Sequence, residues 1–413
     1  MTLSKKKGRI GYLHITQMRF FIKKRSGKGE EFLLANYIVQ FPLKVEKFQQ
    51  DILEKRFRIG RDIYNSLLGK MWKRYCEMVK RREYRALLEE IAKTEKKKPL
   101  YKKLEAIRKE SGFTEYAFHK EVKDMQKFFK KNIDSFTAQK IATQVWRAFE
   151  KMMYGSGERV HFKKEDEFKS LEGKSNGTGI RYMDGYIDWK GLRLKVLIDE
   201  KNHYEKEALK SEIAYCRLIR KEIRERLKYY TQIVFKGVPP REIDKKTGEY
   251  RERIGSGEVR LRVGKQYLIY EKDGVERRIE LADRVYPLEV RRRELIKEIK
   301  RRKERELSTT SVRHRKLLQE LKEVYRKQTD VRKYQHECLS NEILKLGDRI
   351  EIEKIESVQE EIYSLGKEKR VKITTNGEIG NRAPKMFVEI LNRKIEYKIG
   401  FDMNLANNSE NSK

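Results

Sequence analysis

The chain has 413 residues, 99 of them Lys or Arg and 64 Asp or Glu, for a formal charge of +35 and a pI near 9.8. That excess argues against an ordinary neutral enzyme, and a mean hydropathy of −0.86 with no uncharged apolar run of about 18 residues excludes a helical membrane span. The Lys-rich start lacks an apolar signal region, and the three cysteines, Cys76, Cys216 and Cys338, lie too far apart for a disulfide framework or a zinc clip. The sequence therefore reads as a soluble protein of a reducing cytoplasm.

A polyanion that takes up many Lys and Arg side chains releases condensed counterions, so charge spread from end to end favours a nucleic acid partner. An acidic membrane would call for one basic amphipathic helix instead, and a ribosome-associated protein is the other bland reading. The 22 Tyr and 17 Phe offer faces on which unpaired bases stack, although most aromatics in any chain are core.

In chain order, residues 8–23 and 31–43 are rich in β-branched and aromatic residues around the turn Ser26-Gly27-Lys28-Gly29, which predicts an opening β-hairpin. From Lys44 the period becomes helical, with Ile52, Phe57, Ile63, Leu67, Leu68, Met71 and Tyr75, and it stays so through 154. Strand signals return in Arg159–Lys163, Gly179–Met183, Tyr186–Trp189, Leu192–Ile198 and Tyr229–Val238. The charged, apolar-poor stretch 239–257 reads as a linker. Beyond it come Glu258–Val263 and Gln266–Lys272, the turn Asp273-Gly274, and a third strand Arg277–Ala282. Residues 286–346 are helical and basic with a break near Leu307–Thr310, Gly347 is placed as a C-cap, and Arg349–Ile355 alternates like a strand. A last helix is expected over 382–399, ahead of a polar tail. No fixed-period repeat occurs.

This order of features, with Tyr64-Asn65, Ala138-Gln-Lys-Ile-Ala-Thr-Gln-Val-Trp-Arg-Ala-Phe149, Ser170-Leu-Glu-Gly-Lys-Ser175, Ile350-Glu-Ile-Glu-Lys-Ile355 and Arg382-Ala-Pro-Lys-Met-Phe-Val-Glu389, resembles the TnpB family of transposon-associated RNA-guided nucleases, relatives of type V CRISPR effectors. The resemblance implies an α+β multidomain fold: a split oligonucleotide-binding β-barrel (the wedge) with an inserted helical recognition lobe, then a RuvC-like α/β domain of ribonuclease-H topology with a long inserted helical hairpin. On that frame the wedge takes residues 1–43 and 155–238, the lobe 44–154, the linker 239–257 and the RuvC-like domain 258–403, with 404–413 as a disordered tail.

Two-metal phosphodiester hydrolysis needs carboxylates converging on Mg²⁺ ions about 4 Å apart. The family pattern implies an aspartate on the first RuvC strand, where this chain reads Val259-Arg-Leu-Arg-Val-Gly-Lys265, so Arg262 occupies the aspartate's place. A fixed cation about 4 Å from a divalent ion at an effective dielectric near 20 is repelled by roughly 8 kcal/mol. A register shift leaves Glu258 and Glu271 as substitutes, Glu258 poorly placed. The second family carboxylate maps to Glu353, which alternation puts on one face with Glu351. The family's zinc ribbon and last catalytic segment are not found before Lys413, so no zinc is expected, and Mg²⁺ only if cleavage persists. Phosphate-loop, zincin and nucleophile-elbow motifs are also absent, and His336 with Cys338, spaced i, i+2 on a helix, reads as packing.

The leading expectation is a nuclease-dead, RNA-guided binder acting by occupancy as a transcriptional repressor. Its partners are a guide RNA and double-stranded target DNA with a short flanking motif, with no membrane. An active RuvC-type endonuclease and a non-functional transposon remnant are the alternatives. The residues expected at nucleic acid are Arg61, Tyr64, Asn65, Arg147, Lys163 and Lys164 by resemblance, and Arg291, Arg292, Arg301 and Arg302 by local charge excess. Core packing is the competing reading for Tyr64 and Trp146.

Overall fold

The computed structural model describes residues 36–94, 98–154, 157–241, 247–248, 255–305, 311–353, 382–395 and 397. The chain divides into a first compact unit, Asn36–Gly237, and a second whose described part begins at Val238.

In the first unit, β1 (Tyr37–Lys44) leads into five helices, α1 (Lys47–Lys80), α2 (Arg82–Lys93), α3 (Lys98–Glu110), α4 (Glu115–Phe128) and α5 (Ser135–Met153). Then follow β2 (Ser170–Glu172), β3 (Arg181–Met183), β4 (Tyr186–Trp189), β5 (Leu192–Val196), α6 (His203–Leu209), β6 (Ile213–Ile223) and β7 (Arg226–Phe235). The strands form one seven-stranded sheet in the order β2-β6-β7-β1-β5-β4-β3, and every pairing is antiparallel. The second half of the expected hairpin is thus β1, at the sheet's centre; residues 8–23 lie outside the described residues.

Period-two alternation buries Tyr37, Val39, Phe41 and Leu43 of β1. On α1, Leu53, Phe57, Gly60, Tyr64, Leu67 and Met71 recur every three or four residues and form its buried stripe. Gly60 is where α1 meets the loop into β2: a Cβ there would lie 2.8 Å from the Phe168 ring and 2.9 Å from Leu171. Farther along, Trp72, Tyr75, Phe113, Phe118, Trp146 and Phe149 join α1, α4 and α5 in one aromatic cluster with centroids 5.4 to 6.5 Å apart. Thr114 and Asp134 cap α4 and α5 with side-chain oxygens.

One expectation here is corrected, and one strand was not expected. Arg159–Lys163 is not a strand, because the Asn65 side chain takes up the Lys163 backbone that a ladder would need: Asn65 Nδ2 donates to the Lys163 carbonyl and Lys163 N–H donates to Asn65 Oδ1, both at 2.9 Å. The eleven-residue β6, unanticipated in the sequence, instead pairs with β7 along its length.

In the second unit, β8 (Glu258–Val263), β9 (Tyr267–Lys272) and β10 (Val275–Glu280) form a meander, and β11 (Arg349–Glu353) pairs parallel to β8, giving the order β10-β9-β8-β11. Between β10 and β11 run α7 (Tyr286–Glu304), with Pro287 in its first turn, and α8 (Val312–Leu346), capped by Ser311. A helix over 384–395, α9, follows the undescribed stretch 354–381. Val259, Leu261, Leu268 and Ile350 of the sheet pack with Leu339 and Ile343 of α8 and Phe387 and Leu391 of α9. The α7–α8 hairpin has a smaller core of Leu295, Leu317 and Val324.

Gly347 does not cap α8 in the left-handed conformation; its backbone is extended, at φ −167° and ψ 166°. It is needed for space, since a Cβ there would stand 2.5 Å from the Gly257 carbonyl oxygen and 2.7 Å from Val259 Cγ2.

His336, fully buried on α8, has Nε2 2.8 Å from the Arg382 carbonyl oxygen, while Nδ1 has no hydrogen-bond partner among the described residues. A neutral ring donating from Nε2 fits this site, and burial, with Arg332 adding to it, holds its pKa below the ordinary 6.5. The unfolded chain then takes up the proton first, so this contribution to stability is intact above pH 6.5 and is lost as pH falls below it. His336→Gln is expected to flatten the decline of the second unit's melting temperature between neutral and mildly acidic pH; an unchanged slope relative to wild type would show that His336 does not titrate on unfolding.

Candidate nucleic-acid interface

The seven-stranded sheet has two unlike faces. Residues directly opposite in antiparallel strands project to the same side, so the registers define rows on the outer face. One row is Arg217, Gln232 and Gln40, and a second is Ile219, Tyr230 and Pro42. A third pairs Lys221 with Lys228. A fourth crosses four strands through Lys44, Lys195, Tyr186 and Met183, and a fifth holds Arg193, Asp188 and Arg181. Lys44, Lys195, Lys221, Lys228, Arg181 and Arg193 are all exposed. Among the described residues of these rows and the neighbouring β2, the carboxylates are Asp188 and Glu172, and Glu172 is already engaged by Arg217 at 2.5 Å and Lys140 at 3.0 Å. Those two cations hold the Glu172 carboxyl below its ordinary range despite burial.

Aromatic rings punctuate the same face. The Arg193 guanidinium lies 4.4 Å from the Tyr186 ring centroid, Lys221 Nζ 5.1 Å from Tyr230, and Lys140 Nζ 5.2 Å from Tyr215. Cations that follow a phosphate chain, interleaved with rings on which bases stack, are the two elements of single-strand binding surfaces.

The hairpin ending this face is locked from behind. Arg56, only 4% exposed, donates from Nη1 to the Trp189 carbonyl and from Nη2 to the Lys190 carbonyl, both at 2.8 Å, with its guanidinium 4.5 Å from the Trp189 ring. Trp189 Nε1 donates to Asp134 Oδ2 at 2.7 Å, and Asp134 also accepts from the N–H groups of Phe136 and Thr137. Burial pulls the Arg56 pKa down to about 10, partly offset by Asp134, so it stays a cation at neutral pH.

The residues expected from the sequence fall differently. Tyr64 is 4% exposed, and Lys163 Nζ sits 4.2 Å from its ring centroid, so with Asn65 these three side chains make an internal clamp whose tyrosine has no free stacking face. For Tyr64 the packing matches the competing reading, a core residue. Arg61 pairs with Asp62, while Arg147 and Lys164 are exposed. On α7, Arg291 is held by Glu294 at 3.0 Å and Glu320 at 2.7 Å, which raise its pKa, and Arg302 donates to Ser311 Oγ at 3.1 Å. Arg292 lies 5.9 Å from the Tyr325 ring, and Arg301 is exposed. Trp146 packs edge-on to Phe118. The outer-face cations of β5, β6 and β7 escaped the sequence reading, although the alternation in Leu192-Arg-Leu-Lys-Val196 displays Arg193 and Lys195.

In the second unit, parallel register sets Arg262 of β8 beside Glu353 of β11, and Arg260 beside Glu351. Leu261 and Val263 point to the core, so Arg260 and Arg262 share the exposed face. Arg262 forms an ion pair with Glu276 of β10, and Arg260 lies 3.3 Å from Glu258 and 3.6 Å from Glu351. This donor set does not fit a divalent cation, because Glu258, Glu276 and Glu351 are each engaged by a guanidinium. Among the described residues no group of three or more His, Cys, Asp or Glu side chains stands where it could hold a metal ion.

No protein-family model matches the sequence, and no curated protein matches it. Among solved structures, the chain is similar to the cryo-EM structure of a Cas12f1–sgRNA–target DNA complex, with a TM-score of 0.46 and 12% identity, covering 85% of this chain and 72% of that one. It is also similar to a CRISPR–Cas12f ternary complex, with a TM-score of 0.28 and 14% identity over 83% and 70% of the two chains.

Proposed function

We propose that the chain is an RNA-guided DNA-binding protein of the TnpB and Cas12 kind that has lost cleavage and acts by occupying its target. The observation that carries the binding half is the outer sheet face: six exposed cations in register-defined rows, interleaved with Tyr186, Tyr215 and Tyr230. A guide RNA lies along this face, base pairing selects the DNA, and the protein reads a short flanking motif and the shape of the heteroduplex. Occupancy alone then blocks transcription. Support for lost cleavage comes from Arg262, a guanidinium in register with Glu353, since a cation in that place opposes Mg²⁺.

The test is to sequence the RNA that copurifies with the protein and to footprint DNA matched to it. A discrete RNA, protection of the matched site and no protection of a mismatched one are expected. Equal protection of both, with a steep loss on added salt, would reduce the interaction to charge attraction.

A further inference from the structure

At the β3 edge, the outer face opens into a cleft of about 390 Å³ lined in part by Arg181, Asp188, Lys190 and Arg193, with Asp134 and Trp189 among its walls. That volume lies in the range of small-ligand sites, about 300–1,000 Å³. The walls are fixed: Lys190 and Gly191 turn at φ +43° and +75°, and Arg56 pins the carbonyls of Trp189 and Lys190. Asp134 is saturated, since its two oxygens take the Trp189 indole, two backbone N–H groups and the Thr137 hydroxyl.

Asp188 is different. Its side chain is 19% exposed, and its ion-pair partner, Arg193 Nε, stands 3.7 Å away, beyond hydrogen-bonding distance. Among the described residues its oxygens therefore keep acceptor capacity, in a chain of charge +35 and between two arginines of its own row. A carboxylate repels phosphate and accepts from N–H groups, so phosphates belong on Arg181, Lys190 and Arg193 and a base edge belongs on Asp188. Of the four RNA bases, guanine alone presents two adjacent donors, N1–H and the 2-amino group, matching the two oxygens of a carboxylate. Cytosine and adenine offer one amino group beside a lone pair, and uracil one imino group between two carbonyls.

We infer that this cleft is a guanine subsite, in which Asp188 accepts both donors of one unpaired guanine of a bound strand. The inference rests on the nucleic-acid reading of the outer face and adds base selectivity to it. The test measures, by fluorescence anisotropy near physiological salt, binding of short uridine-rich RNAs that carry a single G, A, C or inosine. The G-containing RNA is expected to bind about ten-fold tighter than the others, in line with one bidentate base contact. Inosine, which lacks the 2-amino group, is expected to lose most of that advantage. Asp188→Asn, nearly isosteric, is expected to lower the affinity for the G-containing RNA to the level of the A- and C-containing ones, so that the preference disappears. Equal affinity for all RNAs, or a guanine preference that survives in Asp188→Asn, would overturn the subsite and leave the interface standing; failure of every RNA to bind would overturn both. The inosine comparison uses the unmodified protein and holds whether or not the variant folds.

Discussion

Arg56→Ala is expected to destabilise the first unit by about 4 kcal/mol, the sum of two buried charge-assisted hydrogen bonds and the guanidinium contact with an indole face. Arg56 is nearly fully buried and serves the carbonyls of Trp189 and Lys190 at once. Alanine leaves both acceptors without their donor and opens a space beneath the Trp189 ring. Arg56→Lys keeps the charge but loses the fork, so a smaller loss is expected, near half. All three tryptophans, Trp72, Trp146 and Trp189, belong to the first unit, so tryptophan fluorescence during urea unfolding reports on that unit alone. A midpoint within experimental error of wild type for Arg56→Ala would show that the hairpin is held by its sheet pairing and not from behind.

Gly347→Ala is expected to cost the second unit about 3 kcal/mol through a backbone clash that no rotamer relieves. The Cβ would meet the Gly257 carbonyl oxygen, which also accepts the N–H groups of Asp348 and Arg349 at 3.1 Å. Gly257 N–H in turn donates to Asp348 Oδ1 at 2.9 Å. These contacts set the start of β11 against the start of β8 and so fix the register that places Arg262 beside Glu353. Hydrogen exchange across β8 and β11 should accelerate in the variant while the tryptophan-monitored transition of the first unit stays put. Unchanged protection of Val259 and Ile350 would mean that the crossing tolerates a methyl group.

Much of the second sheet was legible from local pattern. Glu258–Val263 alternates strictly, Asp273-Gly274 is a hairpin turn, and the helical period resumes after Tyr286. What escaped depends on contacts distant in sequence. Arg56 lies three residues after Leu53 and four before Gly60, on the buried stripe of α1, and a search for apolar periodicity passes over a cation in that position. β6 was hidden because Arg217, Arg220, Lys221 and Glu222 dilute its β-branched signal, and its inward Arg220 is satisfied by Glu54 and the Phe168 carbonyl. Gly347 resembled a helix cap because glycine after a helix is most often one; the need for space comes from a segment some ninety residues earlier. Stacking and core packing stayed open for Tyr64 because Lys163, whose backbone Asn65 holds and whose Nζ lies over the ring, is far along the chain.

We propose that this protein binds a guided target without cutting it. The protein carrying its copurified RNA, incubated in Mg²⁺ with a supercoiled plasmid bearing the matched site, provides the most direct test. Footprint protection with the plasmid still fully supercoiled is the predicted result. Nicked or linear product that depends on the RNA and disappears in Glu353→Ala would contradict it.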